Sequence, residues 1–205
     1  MAFTYTLGSL KTMVKTILDR QDLTSDLLNF GIYTAFQRIQ RVARLPSMEV
    51  STTITQPAGR DWIPVFDNML EVKHMQIQTG MLERKSLDYI AGLPAEEGTP
   101  KYFARSDEIW QLHPVPASEM EITVIYYAEF NQLLTDSQTN NTIIVAFDVL
   151  LYGALSVLGE LYVDERVPKW EQRFQQETAE LINQASEMEM AGSEIAVMAP
   201  EGSTY

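Results

Sequence analysis

The residue types that could carry chemistry in this chain are few, and their spacing is against them. The two histidines, His74 and His113, sit in strand-like segments with no metal-ligand spacing to each other or to a carboxylate. A histidine base also needs an orienting partner and a nucleophile close by, and neither is offered. There is no cysteine, which removes disulfides, thiolate metal sites and cysteine nucleophiles together. Gly92 to Gly98 is followed by Thr99-Pro100 with no lysine to reach a phosphate, so no P-loop forms. Neither a Gly-x-Gly-x-x-Gly turn nor a Gly-x-Ser-x-Gly elbow occurs. Asp136-Ser137-Gln138-Thr139-Asn140 has the opening of a calcium loop but lacks its central glycine and closing glutamate. It reads as a polar linker that caps the next helix. Asn140-Asn141-Thr142 is formally a glycosylation sequon, but no secretory leader is expected, because Met1 to Thr6 lacks a basic stretch followed by an apolar one. Asp107-Glu108 and Asp164-Glu165 are neighbours in sequence, suited to solvated turns rather than to facing each other across a cleft. The expectation is no enzyme, no metal and no cofactor.

One basic feature stands out. Arg38, Arg41 and Arg44 step by three toward the end of a helix-forming segment. They suit the negative end of the helix dipole first, and a contact with DNA or with an acidic partner surface second. Charge elsewhere is lopsided along the chain. Up to Ser118 there are 13 acidic and 12 basic residues; from Glu119 onward, 15 against 3, making up the total of −13. A C-terminal part of that sign repels phosphates, which disfavours general DNA binding.

The elements that would position these residues read as helices, then strands, then helices, an α+β chain with a mostly antiparallel sheet in the middle. Leu7, Leu10, Val14, Ile17 and Leu18 mark a helical stripe over Thr6 to Asp19. Asp22 or Thr24 can cap a second helix, striped by Leu28, Ile32, Phe36, Ile39 and either Val42 or Ala43, that ends before Pro46. From Met48 the period changes to two: Val50, Thr52 and Ile54, then Leu70 to Ile77, a strand at Arg84 to Tyr89, a loop over 91–100, Tyr102 to Leu112 broken at Ser106-Asp107, and Glu121 to Tyr127. The connections look too short for helical crossovers, so the strands should run antiparallel. Ile143 to Tyr162 is the most apolar stretch. It carries Asp148 and Glu160 and has no charge-free run long enough for a membrane span, so it should be a core helix, with no membrane partner. Trp170, Phe174, Thr178, Leu181, Ala185 and Met188 then stripe a last helix that pairs with it as an antiparallel hairpin. Residues 1–190 are expected to form one domain and 191–205 an extended tail, in which Ile195, Val197, Met198 and Tyr205 are possible anchors on a partner.

In this order the chain resembles the head-to-tail adaptor (connector) proteins of podovirus-like and some other tailed bacteriophages. The likeness runs from Leu23 to about Ala185. It is carried by Trp62-Ile63-Pro64-Val65-Phe66-Asp67-Asn68-Met69-Leu70-Glu71-Val72, similar to an "LP-x-D-x-L-x-V" strand entry, although here Ile63 and not leucine precedes the proline. It continues through Gly98-Thr99-Pro100-Lys101-Tyr102-Phe103-Ala104, Ile109 to Pro116, and Ile122 to Tyr127. It ends in the helical block at Asn141, Phe147 to Leu155, Asp164-Glu165, Trp170 and Phe174. These are packing and turn patterns, not catalytic signatures.

The resemblance implies a structural virion protein at the neck between capsid and tail, assembled in the host cytoplasm. Such a subunit belongs to a homo-oligomeric ring, commonly of twelve, beneath the portal protein. The ring extends the channel through which double-stranded DNA passes and docks a tail nozzle or tail-tube protein. If the acidic hairpin lines that channel, Glu171, Glu177 and Glu180 would face DNA that slides without being gripped. Two other readings compete. One is a tail completion or terminator protein of the neck; the other is a partner- or carbohydrate-binding module displaying Trp62, Trp110, Tyr126 and Tyr127 on an open sheet face.

Overall fold

The structure, a computed structural model, describes residues 4–131 and 133–190. Along the chain the elements are α1 (Leu7–Leu18), α2 (Ser25–Val42), a 3-10 turn (Pro46–Met48), β1 (Glu49–Gln56), β2 (Trp62–Pro64), β3 (Met69–Ile77), β4 (Gly80–Arg84), α3 (Leu87–Ala91), β5 (Glu97–Gly98), β6 (Tyr102–Ser106), β7 (Ile109–His113), β8 (Val115–Pro116), β9 (Met120–Ala128), α4 (Asn141–Val145), α5 (Phe147–Leu161) and α6 (Val167–Met190). They divide into two compact units, a helical one built from residues 4–46 and 133–190 and a sheet one built from 47–131.

The helical unit starts where local chemistry directs it. Thr6 accepts a hydrogen bond from the Ser9 amide while Ser9 caps back, a reciprocal box that satisfies two free N–H groups. Thr24, not Asp22, caps α2, accepting from the Leu27 amide at 3.3 Å. Asn140 does the same for α4 through the Ile143 amide at 2.8 Å. The apolar stretch expected as one helix is interrupted at Ala146, whose backbone (φ −121°, ψ 33°) separates α4 from α5. α5 is the centre of this unit, with α1, α2 and α6 all packed on it. Leu150, Leu155 and Leu158 of α5 are fully buried, as are Leu10 and Leu18 of α1 and Leu28 and Ile39 of α2. The stripe of α6 is buried at Trp170, Phe174, Thr178, Leu181 and Ala185, while Met188, at its end, is exposed. α2 comes close to α5 because Gly153 has no side chain: a Cβ there would lie 2.9 Å from both the Ala35 Cβ and the Phe174 ring.

The sheet unit is a seven-stranded sheet in the order β1-β9-β3-β4-β6-β7-β2, with a separate pair β5-β8. Its long pairings, β1 with β9, β9 with β3 and β6 with β7, are antiparallel. Two pairings are parallel, β4 with β6 and β5 with β8. The first of these is made possible by α3, a short helix within the crossover. Arg84 to Tyr89, expected as a strand, therefore holds a helix start: Ser86 accepts from the Tyr89 amide at 3.2 Å and Asp88 lies in the first turn. The core of this unit includes Ile63, Val72, Met75, Phe103, Trp110, Leu112, Ile122, Val124 and Tyr126. Asp107 takes the left-handed conformation (φ 54°) at the turn between β6 and β7, the break anticipated at Ser106-Asp107.

Candidate functional site: two charged flanks of the helical unit

The three arginines of α2 go to different places. Arg38 crosses to α6, where its guanidinium meets the Glu171 carboxylate at 2.6 Å and lies 4.0 Å from the centre of the Phe174 ring. Arg44 turns back on its own helix and donates to the carbonyls of Gln40 and Ala43, at the negative end of the dipole. Arg41 is exposed and makes no ion pair among the described residues. It forms the rim of a shallow groove of about 420 Å³ with Arg38, Val42, Phe174, Thr178 and Ile182.

The three glutamates of α6 divide as well. Glu171 is half-buried and fully engaged: besides Arg38 it accepts from the Ser156 hydroxyl at 2.7 Å and from the Gln175 amide at 3.0 Å. The Arg38 hydrogen bond, with smaller help from Ser156 and Gln175 and against the cost of burial, holds its carboxyl below the usual range. Glu177 and Glu180 lie on the other flank of α6. Glu177 is 3.8 Å from Arg173, and Glu180 accepts from Gln176 at 3.2 Å. Together with Val145, Asp148, Leu181 and Gln184 they line a second groove of about 310 Å³. Glu171 therefore does not share a face with Glu177 and Glu180.

The charge imbalance along the sequence is also partly undone by folding. Basic residues of the first two helices pair with acidic residues of the C-terminal part: Arg38 with Glu171, and Lys11 with Asp136 at 2.7 Å. Arg166, in the turn before α6, is held by Asp164 and donates to the carbonyls of Ile17 and Leu18, closing the C-terminal end of α1. That guanidinium pulls the Asp164 carboxyl down to about 2.

On the sheet unit, the four aromatics that could have made a sugar platform are mostly core. Trp110, Tyr126 and Tyr127 are buried, and Trp62 alone is partly open, with the Arg60 guanidinium 3.5 Å from its ring centre. Phe103 stacks edge-on against Trp110, which explains why an aromatic strand here serves packing. An open depression of about 750 Å³ on this unit is lined by Thr55, Gln76, Thr79, Glu119, Glu121 and Thr123 among others, hydroxyls, amides and carboxylates with no histidine, lysine or arginine among them. His74 lies half-buried on β3, and His113 is buried at the end of β7. Among the described residues no three histidines or carboxylates gather in metal-holding geometry, and no helix is long and apolar enough to cross a membrane. Ile195, Val197, Met198 and Tyr205 lie outside the described residues.

Sequence reasoning found the arginine row and the acidic helix but not that Arg38 and Glu171 face one another, 133 residues apart. It also missed the apolar residues beside the free charges, Val42 on one flank and Ile144 and Val145 on the other, all at least half exposed. The signal available was their break from the buried stripe of their own helices.

What the geometry offers is surfaces for protein contact, each combining exposed apolar side chains with charge of one sign. No curated protein matches the chain. The family model of the SU10 adaptor proteins does, over residues 5–197, and the chain therefore belongs to this family of bacteriophage head-to-tail adaptors.

Proposed function

We propose that this adaptor is a structural, non-catalytic subunit of a ring that sits under the portal, continues the DNA channel and receives the tail. The family match over nearly the whole described chain carries the reading. The charge of the chain supports it. A ring multiplies −13 by its copy number, twelve in the resemblance above, and a wall of that sign lets DNA pass, since gripping phosphates takes a lining of lysine and arginine. The arginines of α2 are poorly placed to form such a lining, because Arg38 and Arg44 are already engaged within the helical unit. In this scheme residues 192–205 reach onto the portal or a neighbouring subunit through Ile195, Val197, Met198 and Tyr205.

Particle imaging of the purified chain, with and without the portal protein of the same phage, tests the reading. Rings capping the portal are the expected result. A chain that ignores the portal and instead closes the end of the tail tube would make it a tail completion or terminator protein. For the tail segment, a chain ending at Ala191 should lose portal co-assembly; unchanged binding would remove that role.

A further inference from the structure

The two grooves of the helical unit are opposite in charge and lie on opposite flanks of one helix. Arg38, Thr178 and Ile182 edge the first; Glu177, Glu180 and Gln184 edge the second. On α6, positions 175 and 182 fall on one side of the buried stripe and 177, 180 and 184 on the other, as the spacing of an α-helix requires. Beyond the first groove the outer face of α2 carries Phe30, Tyr33, Gln37 and Arg41 at i, i+3, i+7 and i+11, with both aromatic rings about half exposed. Val145 lines the second beside Asp148, and Ile144 precedes it in the chain; the two are 53% and 50% exposed. An exposed aromatic–arginine surface and an exposed aliphatic–carboxylate surface are each costly to leave in water and suited to bury each other.

We infer that the Phe30–Tyr33–Arg41–Val42 flank of one chain seats on the Ile144–Val145–Asp148–Glu177–Glu180 flank of the next copy. The occupant is a second copy because the complement is on the molecule itself. Among the described residues Arg41 has no ion pair, and Asp148, Glu177 and Glu180, which meet at most one cation of their own chain, Arg173, line the groove across α6 from it. Two different surfaces that fit each other make a head-to-tail contact, which closes into a ring when the rotation between copies allows it. The inference rests on the ring proposed above and says which faces make it. It places Glu177 and Glu180 between subunits instead of on a channel wall. Such rim charges set partner orientation and are weakened by salt.

The absence of cysteine makes the test direct. The full chain carrying both Val42→Cys and Val145→Cys is assembled with the portal protein, oxidised, and run under denaturing, non-reducing conditions. A ladder of multimers beyond the dimer is expected, whereas each single variant can give a dimer at most. In parallel, Arg41→Glu should weaken self-assembly about a hundredfold, the effect of setting like charges face to face. Adding Glu180→Arg to the same chain should restore it, with circular dichroism confirming that each variant is folded. Rings that image normally but give no ladder, or that ignore the charge reversal, would overturn this interface and leave the ring standing. If no ring forms on the portal at all, the ring and this interface fall together.

Discussion

The helical and sheet units each bury an apolar core and leave different surfaces behind. The sheet unit is a continuous stretch, 47–131, whose Phe103, Trp110 and Tyr126 are turned inward while Trp62 and Tyr89 stay open. The helical unit is assembled from both ends of the chain around α5 and leaves Phe30, Tyr33, Val42, Ile144 and Val145 open. A two-faced strand can send alternate side chains into the core, whereas a helix with a narrow buried stripe leaves a wide outer face that must be polar or be covered. The difference teaches that the helices expose apolar side chains beside charged grooves, whereas the sheet unit exposes its own, Trp62, Met81 and Tyr89, beside turns and strand ends.

The strongest way to break the comparison is to damage one core and watch the other. Leu155→Ala in α5 should cost about 2–5 kcal/mol and Trp110→Ala in β7 about 3–5 kcal/mol, as truncations of buried side chains do. If the units unfold separately, Leu155→Ala lowers the helical circular-dichroism transition while, in a Trp170→Phe background, the fluorescence of Trp62 and Trp110 in the sheet unit keeps its own midpoint. A single shifted transition would mean that residues 1–190 behave as one cooperative domain. Next in size is a contrast between glycines. Gly153→Ala drives a methyl into Ala35 and Phe174 and should destabilise by about 1–3 kcal/mol in chemical denaturation. Gly92→Ala meets nothing closer than 3.5 Å in an ordinary backbone conformation, so stability should change by less than ~1 kcal/mol, in the favourable direction.

Ion pairs separate the units more gently. Arg38→Met strips a half-buried glutamate of its main partner and should cost about 1–3 kcal/mol, with Glu171→Gln costing less because the amide can still meet Ser156. On the sheet unit, Lys73 meets Glu49 at 2.7 Å in a more open setting, and Lys73→Met should cost about 0–1 kcal/mol. Equal losses in the two cases, measured by denaturant midpoint, would show that the helical unit does not depend on its internal charges.

Much of this division was legible from residue order. The stripe from Leu7 to Leu18, the stripe from Trp170 to Ala185 and the alternation in β1 and β9 are local patterns, and local patterns fix elements. Where several weak local signals competed, the reading failed: Ser86 and Asp88 start a helix inside a segment of strand-like composition, and Ala146 breaks a stretch that is apolar throughout. The parallel β4–β6 pair followed from that missed helix. The arginine row was visible as spacing, but its division into Arg38 on Glu171, Arg44 on α2 carbonyls and Arg41 in solvent depends on packing between α2 and α6, which no spacing encodes.

The smallest expected effect is the one that titration resolves. Asp22, Glu171 and Asp164, all in the helical unit, have carboxyls held low, in each case chiefly by a hydrogen bond from an arginine, Arg20, Arg38 and Arg166. A carboxylate whose folded pKa lies below its unfolded one contributes stability above the unfolded value and loses it as pH falls through the folded value. For Asp164 that window opens just below pH 4 and closes near 2. On the sheet unit the shifted group is Lys85, raised mainly by its hydrogen bond to Glu83. A raised lysine contributes below its unfolded pKa and loses that contribution as pH rises through the folded one. Acid should therefore loosen the helical unit first, and strong alkali should act on the sheet unit. Following the helical signal against the sheet tryptophans from pH 5 to 2, in the parent and in Asp164→Asn, checks the sign. The variant should start less stable at pH 5 and show a shallower decline toward pH 2, because the carboxylate whose protonation releases Arg166 from the end of α1 is gone. Identical acid profiles would mean that Arg166 is held there by the Ile17 and Leu18 carbonyls alone.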